Sequence, residues 1–134
     1  MSHNVFVDAT ILQKHNKDMP KRTFVAYFVE GRPELQDVKE VIDIGADETH
    51  EAELLAVLFA IERLNAMLDH FTILCDHESI VSEINRKDSK LAKSSITLQK
   101  ILDWRKNNSR FTVQRTYNPA HSLLDQYLSK HGIK

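Results

Sequence analysis

A single cysteine, Cys75, excludes an intramolecular disulfide and leaves no set of thiolates from which a zinc cluster could be built. Proline and glycine are nearly as scarce, at three residues each, so no long flexible linker divides the chain. No internal repeat or low-complexity block is visible. No apolar run approaches the ~18 residues of a membrane span. The opening "MSHNVFVDAT" has no basic region followed by an apolar one, so no signal peptide is visible and a cytoplasmic location is expected. An excess of one charge is missing too: 18 Lys and Arg stand against 19 Asp and Glu, a net charge of -1. Nucleic acid would therefore have to be met by a local basic patch rather than by a global field. The seven histidines are scattered, and none forms an HxxxH-type pair on an evident helix. What is present fits an ordinary globular protein. The 134 residues, 42% hydrophobic and 28% charged, are expected to form one domain over 1–134 with a core of its own.

Along the chain, "NVFVDAT" places Val5 and Val7 on one face of a strand ending at Asp8. "ILQKHNKDMPKR" is polar and predicts a loop. "TFVAYFVEG" is rich in β-formers and runs into the turn signal Gly31-Arg32-Pro33. "KEVIDIGA" predicts a third strand closed by Gly45, completing an antiparallel meander. Thr49 is placed to cap a helix running to about Leu68, with Glu51 in the first turn, where the helix dipole favours an anion. "FTILCD" is continuously apolar and predicts a strand buried on both faces. "HESIVSEINRK" predicts a short helix with Ile80, Val81 and Ile84 inward. After the polar connection "DSKLAKSS" comes the helix "ITLQKILDWRKNN", anchored by Ile96, Leu98, Ile101, Leu102 and Trp104. "RFTVQRTY" is a fifth strand, and "PAHSLLDQYLSKHG" a last helix with Pro119 near its start and Gly132 beyond its end. The order β-β-β-α-β-α-α-β-α implies an α/β fold, a mixed five-stranded sheet covered by helices.

Acidic residues fall at the ends of these elements. Asp8 is expected to end the first strand and Asp76 the fourth, while Glu53 lies near the start of the intervening helix. If the first and fourth strands are parallel neighbours, Asp8 and Asp76 come side by side at their carboxyl ends, and the helix adds a glutamate. Clustered carboxylates repel unless a cation joins them. Hard oxygen ligands select Mg²⁺ or Mn²⁺, and two such ions ~3.5–4 Å apart activate water and stabilise a leaving oxygen in phosphodiester hydrolysis. Each acid also has an ordinary reading. Asp8 closes a strand, Asp76 caps a helix, and Glu53 faces a helix dipole. Periodicity does not choose Glu53 over Glu51, because "LLAVLFAI" is apolar nearly all round.

"VFVD", "THEAELLAVLFAIE", "ILCDHESIVSEI" and "RTYN", in this order, resemble the type 1 branch of the ribonuclease H family over nearly the whole chain. The resemblance implies a ribonuclease-H-like fold and cleavage of the RNA strand of RNA–DNA hybrids with two divalent metals. It maps the metal ligands onto Asp8, Glu53 and Asp76. The family's fourth carboxylate falls on Ser122 when counted from Arg115 and Asn118, and Asp125, about one helical turn later, is the candidate in its place. It also implies substrate contacts from Asn118 and from the basic run Arg86, Lys87, Lys90 and Lys93, whose other reading is a solvated face. His121 resembles a histidine that some family enzymes place beside the site. His77 reads as a polar helix-start residue or as a neighbour of metal-bound water or substrate. The chain departs from the family pattern with Ala9 in place of Gly and His77 in place of Ser. Two other functions stay open: a non-catalytic nucleic-acid or protein binding module, and a DNA nuclease or resolvase of the same fold.

Overall fold

The computed structural model describes residues 2–12, 22–41, 48–86, 95–107, 110–116 and 120–133. The elements follow in the expected order: β1 (Ser2–Leu12), β2 (Arg22–Val29), β3 (Arg32–Val41), α1 (Glu48–Leu64), β4 (His70–Cys75), α2 (Glu78–Asn85), α3 (Ile96–Asn107), β5 (Phe111–Arg115) and α4 (Ala120–Lys130). They build one mixed sheet of five strands in the order β3-β2-β1-β4-β5. The first three pair antiparallel, and β4 joins β1 and β5 in parallel.

Side-chain alternation along β2 sets the layers. Val25, Tyr27 and Val29 face a large core with Val5, Val7, Phe71, Ile73 and Cys75, closed by the apolar sides of α1, α2 and α3. Phe24, Ala26 and Phe28 face the other way, onto Leu124 and Leu128 of α4. The strand buried on both faces is therefore β2, not β4 as its apolar run predicts. The reason is the position of α4, which packs on β1 and β2 and leaves Thr72 and Leu74 of β4 half-buried. The far end of α4 is closed as its sequence implies. Gly132 takes a φ of 70°. The Ile133 N–H donates to the Leu128 carbonyl at 2.9 Å and the Gly132 N–H to the Ser129 carbonyl at 3.2 Å, a Schellman closure that returns Ile133 to the core under the helix.

Several boundaries differ from expectation for identifiable reasons. β1 does not stop at Asp8, because β2 continues to pair with it as far as Leu12–Arg22. β3 starts at Arg32, directly after the turn at Glu30 and Gly31, and the expected stretch beyond Val41 lies outside the described residues. The register jumps from Phe28–Gln36 to Val29–Arg32, so Pro33 sits in an irregular stretch of an edge strand, where its missing N–H costs the sheet nothing. α1 begins before Thr49 and ends at Leu64; the chain then turns, with the Leu68 N–H on the Leu64 carbonyl at 2.9 Å, which keeps Leu68 buried. Ile96 is not a core anchor; it opens α3 at 70% exposure, and Thr97 and Leu98 are buried instead. Trp104 is half-buried against the larger core.

The first turn of α1 is tied to α3. The Glu51 carboxylate accepts hydrogen bonds from Ser95 Oγ at 3.1 Å and from Thr97 Oγ1. Ser95 Oγ in turn accepts the Leu98 N–H at 3.2 Å, the geometry of an N-cap. Glu51 is thus more than a dipole partner, since both hydroxyls it receives belong to buried residues. Glu51→Ala should cost about 1–3 kcal/mol by leaving those donors unpaired, read as a lower urea midpoint at unchanged slope. An unchanged midpoint would reduce the tie to an incidental contact.

Candidate metal centre

The candidate site forms where β4 ends and β1 continues. The parallel register pairs Val5 with Ile73 and Phe6 with Leu74. Continued by two residues, that register sets Asp8 opposite Asp76, as expected from the sequence. The structure does not support the ordinary reading of either residue. Asp8 is only 3% exposed and lies within β1 rather than closing it. Asp76 is not the cap of α2, because that position belongs to His77. Glu53 is likewise past the first turn of α1, which starts at Glu48, and is 7% exposed. A macrodipole partner would sit earlier and closer to water.

Opposite faces of the sheet supply these groups. Asp8 pairs with Ala26, which packs under α4, and directly paired residues share a face. Glu53 comes from α1, on the other face. They approach because no β4 residue continues alongside β1 beyond Cys75. Ligand atoms of Glu53, Cys75 and Asp76 all lie within 4.8 Å of one another. Cys75 Sγ stands 3.9 Å from Glu53 Oε2.

Burial and charge act together on Glu53. Burial is the larger cause, and the charges of Asp8 and then Asp76 add to it, pushing the carboxyl from its ordinary 4.5 up to about 8. Burial also pushes the Cys75 thiol up to about 12, so it stays protonated at neutral pH and is a poor ligand for a hard cation. The effective donor set is then oxygen from carboxylates. Such a set fits Mg²⁺ or Mn²⁺, and a divalent cation would relieve the same repulsion that a proton on Glu53 now relieves.

The fourth acid is placed less directly. Asp125 is half-buried on α4, next to Leu124, which packs in the same cluster as Ala26, the partner of Asp8. Ser122 is exposed. Of the expected basic run, Arg86 is exposed and paired with Glu83 at 3.4 Å. Lys87, Lys90, Lys93 and Asn118 lie outside the described residues, as does the side chain of His121. His77 is half-buried beside Asp76 and lines an open cavity of about 610 Å³ with Asp76, Glu78, Ser79, Ser82 and Arg115. Sequence reasoning missed Cys75 as a neighbour of Glu53. Its signal was position: it shares a face with Phe71 and Ile73 and is the last residue of its strand.

No protein-family model matches the chain, and no curated protein matches its sequence. Solved structures do. A foamy viral protease-reverse transcriptase in complex with double-stranded DNA superposes with a TM-score of 0.69 at 15% identity, over 96% of this chain and 89% of that one. LC11-RNase H1 in complex with an RNA/DNA hybrid gives 0.61 at 14% identity, over 85% and 84%. RNase H1 from the halophilic archaeon Halobacterium salinarum gives 0.59 at 12%, over 90% and 89%. The chain has the ribonuclease-H fold. Against native prototype foamy virus protease-reverse transcriptase, at 14% identity and a TM-score of 0.62, the aligned 85% of this chain spans only 17% of that protein. Within the ribonuclease-H fold, the meeting of acids occurs at the carboxyl end of the parallel strand β4.

Glu53 should make metal-free stability depend on pH. Its carboxyl titrates near 4.5 when unfolded and at about 8 when folded. Between these values the folded state keeps a proton that the unfolded state has released, so stability falls as pH rises. The contribution is fully present below 4.5 and lost as pH rises through about 8, with a slope of up to ~1.4 kcal/mol per pH unit. Urea midpoints of the metal-free protein should therefore drop between about pH 5 and 8 relative to those of Glu53→Gln, which has no such proton. Parallel midpoints in the two proteins would mean that Glu53 ionises normally.

Proposed function

We propose that this chain is a divalent-metal-dependent nuclease that hydrolyses the RNA strand of RNA–DNA hybrids. The observation that carries the reading is the approach of Asp8, Glu53 and Asp76 at the end of β4, where burial first and the charges of Asp8 and Asp76 second push the Glu53 carboxyl up to about 8. A buried acid with two acidic neighbours disfavours folding in its charged form unless a proton or a cation offsets the charge, which makes this cluster a candidate cation site. Asp8, Glu53 and Asp76 would hold Mg²⁺ or Mn²⁺, with Asp125 as the fourth carboxylate. Bound there, two ions supply an activated water and neutralise charge on the leaving oxygen.

The rest of the work falls to the chain. β1 and α1 hold Asp8 and Glu53 in buried, fixed positions, so little reorganisation is needed when the ions arrive. Glu53 gives up its proton on metal binding, which makes affinity rise with pH. The open cavity beside Asp76 has room for a polymer backbone, and Arg115 on its wall is placed to meet a phosphate. The hybrid substrate is supported by the ribonuclease-H fold and by the presence of an RNA/DNA hybrid in the complexes of LC11-RNase H1 and of a foamy viral protease-reverse transcriptase. Arg86, Lys87, Lys90, Lys93 and Asn118 are the proposed substrate contacts.

The deciding assay offers labelled RNA–DNA hybrid, duplex DNA and single-stranded RNA with Mg²⁺ or Mn²⁺. Cleavage of the RNA in the hybrid alone is expected. Asp8→Asn, Glu53→Gln and Asp76→Asn should each fall to the metal-free background, and Asp125→Asn should fall while Ser122→Ala keeps its rate. Cleavage of duplex DNA instead would move the chain to the DNA nucleases. Binding without cleavage of any of the three would make it a binding module.

A separate measurement addresses the basic run. Lys90→Glu with Lys93→Glu should weaken hybrid binding and flatten the dependence of log K on log salt by roughly 1–2. An unchanged slope would return these lysines to solvated surface.

A further inference from the structure

Beside the carboxylates, two imidazoles meet one hydroxyl. His50 Nε2 lies 3.2 Å from Ser79 Oγ, and His77 Nδ1 lies 3.3 Å from the same oxygen. The rings are edge-on, 5.4 Å between centroids. His50 stands in the first turn of α1, about one turn before Glu53, and His77 follows Asp76 in the chain. A hydroxyl has one proton to give and two lone pairs to offer, so Ser79 donates to one ring and accepts from the other. The three groups therefore form a bridge from the helix that carries Glu53 to the turn that carries Asp76.

Two further observations give this bridge weight. His77 occupies the N-cap position of α2, yet its side chain makes no capping hydrogen bond. Its ring is committed to Ser79 instead, and the helix start goes without a contribution that such positions commonly supply. The first turn of α1 is also held on a second flank, where Glu51 binds Ser95 and Thr97 of the α3 start. Consecutive helical residues point ~100° apart, so His50 and Glu51 restrain that turn from two directions. Asp76, by contrast, is exposed and lies past the last residue of β4, where packing fixes it least.

We propose that His50, Ser79 and His77 are positioning residues whose bridge sets the distance between the Glu53 and Asp76 carboxylates, and with it the fit of the site to its divalent ion. This rests on the metal-binding part of the proposed function but not on the identity of the substrate.

The test compares Ser79→Ala with Ser79→Thr. Mn²⁺ binding is measured by calorimetry, with thermal midpoints and hybrid cleavage recorded alongside. Ser79→Ala should bind Mn²⁺ about 10-fold more weakly and lower kcat more than it alters KM. Its thermal midpoint should stay where it was, because Ser79 is exposed. Ser79→Thr keeps the hydroxyl and should restore both affinity and kcat. Wild-type Mn²⁺ affinity in Ser79→Ala overturns the bridge, and so does a threonine variant as weak as the alanine one. If the wild type binds Mn²⁺ but cleaves nothing, the nuclease reading fails while the binding comparison still decides the bridge. If the wild type binds no Mn²⁺, the bridge has no ion to serve and is overturned.

Discussion

The candidate site depends on two neighbouring strands having different lengths. β1 is 11 residues long and β4 only 6, and their parallel register is set by ordinary apolar pairs such as Val5–Ile73. A one-residue slip would exchange the faces of β4, burying Thr72 and Leu74 and exposing Phe71, Ile73 and Cys75. Core packing therefore forbids it. The same packing that fixes the register brings Asp8 level with Asp76, and Glu53 of α1 approaches Asp76 at the end of β4. The core sets the register that brings the acids together.

Electrostatics gives the same ordering of cause and effect. A carboxyl pushed to about 8 is a group held where its charge is unwelcome, at a cost to folding that builds from about pH 4.5 and is complete above about 8. Glu51, two residues earlier on the same helix, shows the contrast. Its carboxylate has two hydroxyl donors and serves the contact between α1 and α3. One glutamate is met by two hydroxyl donors, and the other is buried beside two acids, with the Cys75 thiol 3.9 Å away. That difference is why Glu51 is read as serving the fold and Glu53 is proposed as a metal ligand.

The element order and the sheet were legible in the sequence because they rest on local signals: alternation in β2, continuous apolar character in α1, and Gly132 at the close of α4. Asp8 and Asp76 were legible as a pair because strand order implied that they meet, and Glu53 joined them only through the family resemblance. Periodicity could not separate Glu51 from Glu53, since the distinction lies in Ser95 and Thr97, more than forty residues away in the chain. β4 was misjudged for a related reason. Its apolar run says nothing about where α4 will lie, and α4 covers β1 and β2 instead. Pro33 gave a true signal of irregularity but the wrong element, because an edge strand accepts a proline that a central strand would not. The His50–Ser79–His77 bridge joins residues that no spacing rule connects.

The two faces of the sheet also bear on where a fourth carboxylate can come from. Asp8 shares its face with Ala26, and α4 is the helix that packs there among the described residues. A helical ligand approaching Asp8 on that side must belong to α4. Leu124 and Leu128 take the buried stripe of that helix, so a ligand has to lie on its flank, close to the Leu124 end that packs with Ala26. Asp125 meets both conditions, being half-buried and adjacent to Leu124. Ser122 is exposed and offers a hydroxyl, a far weaker ligand for a hard cation than a carboxylate. Packing thus supports the proposal of Asp125 as the fourth carboxylate, rather than a ligand at Ser122.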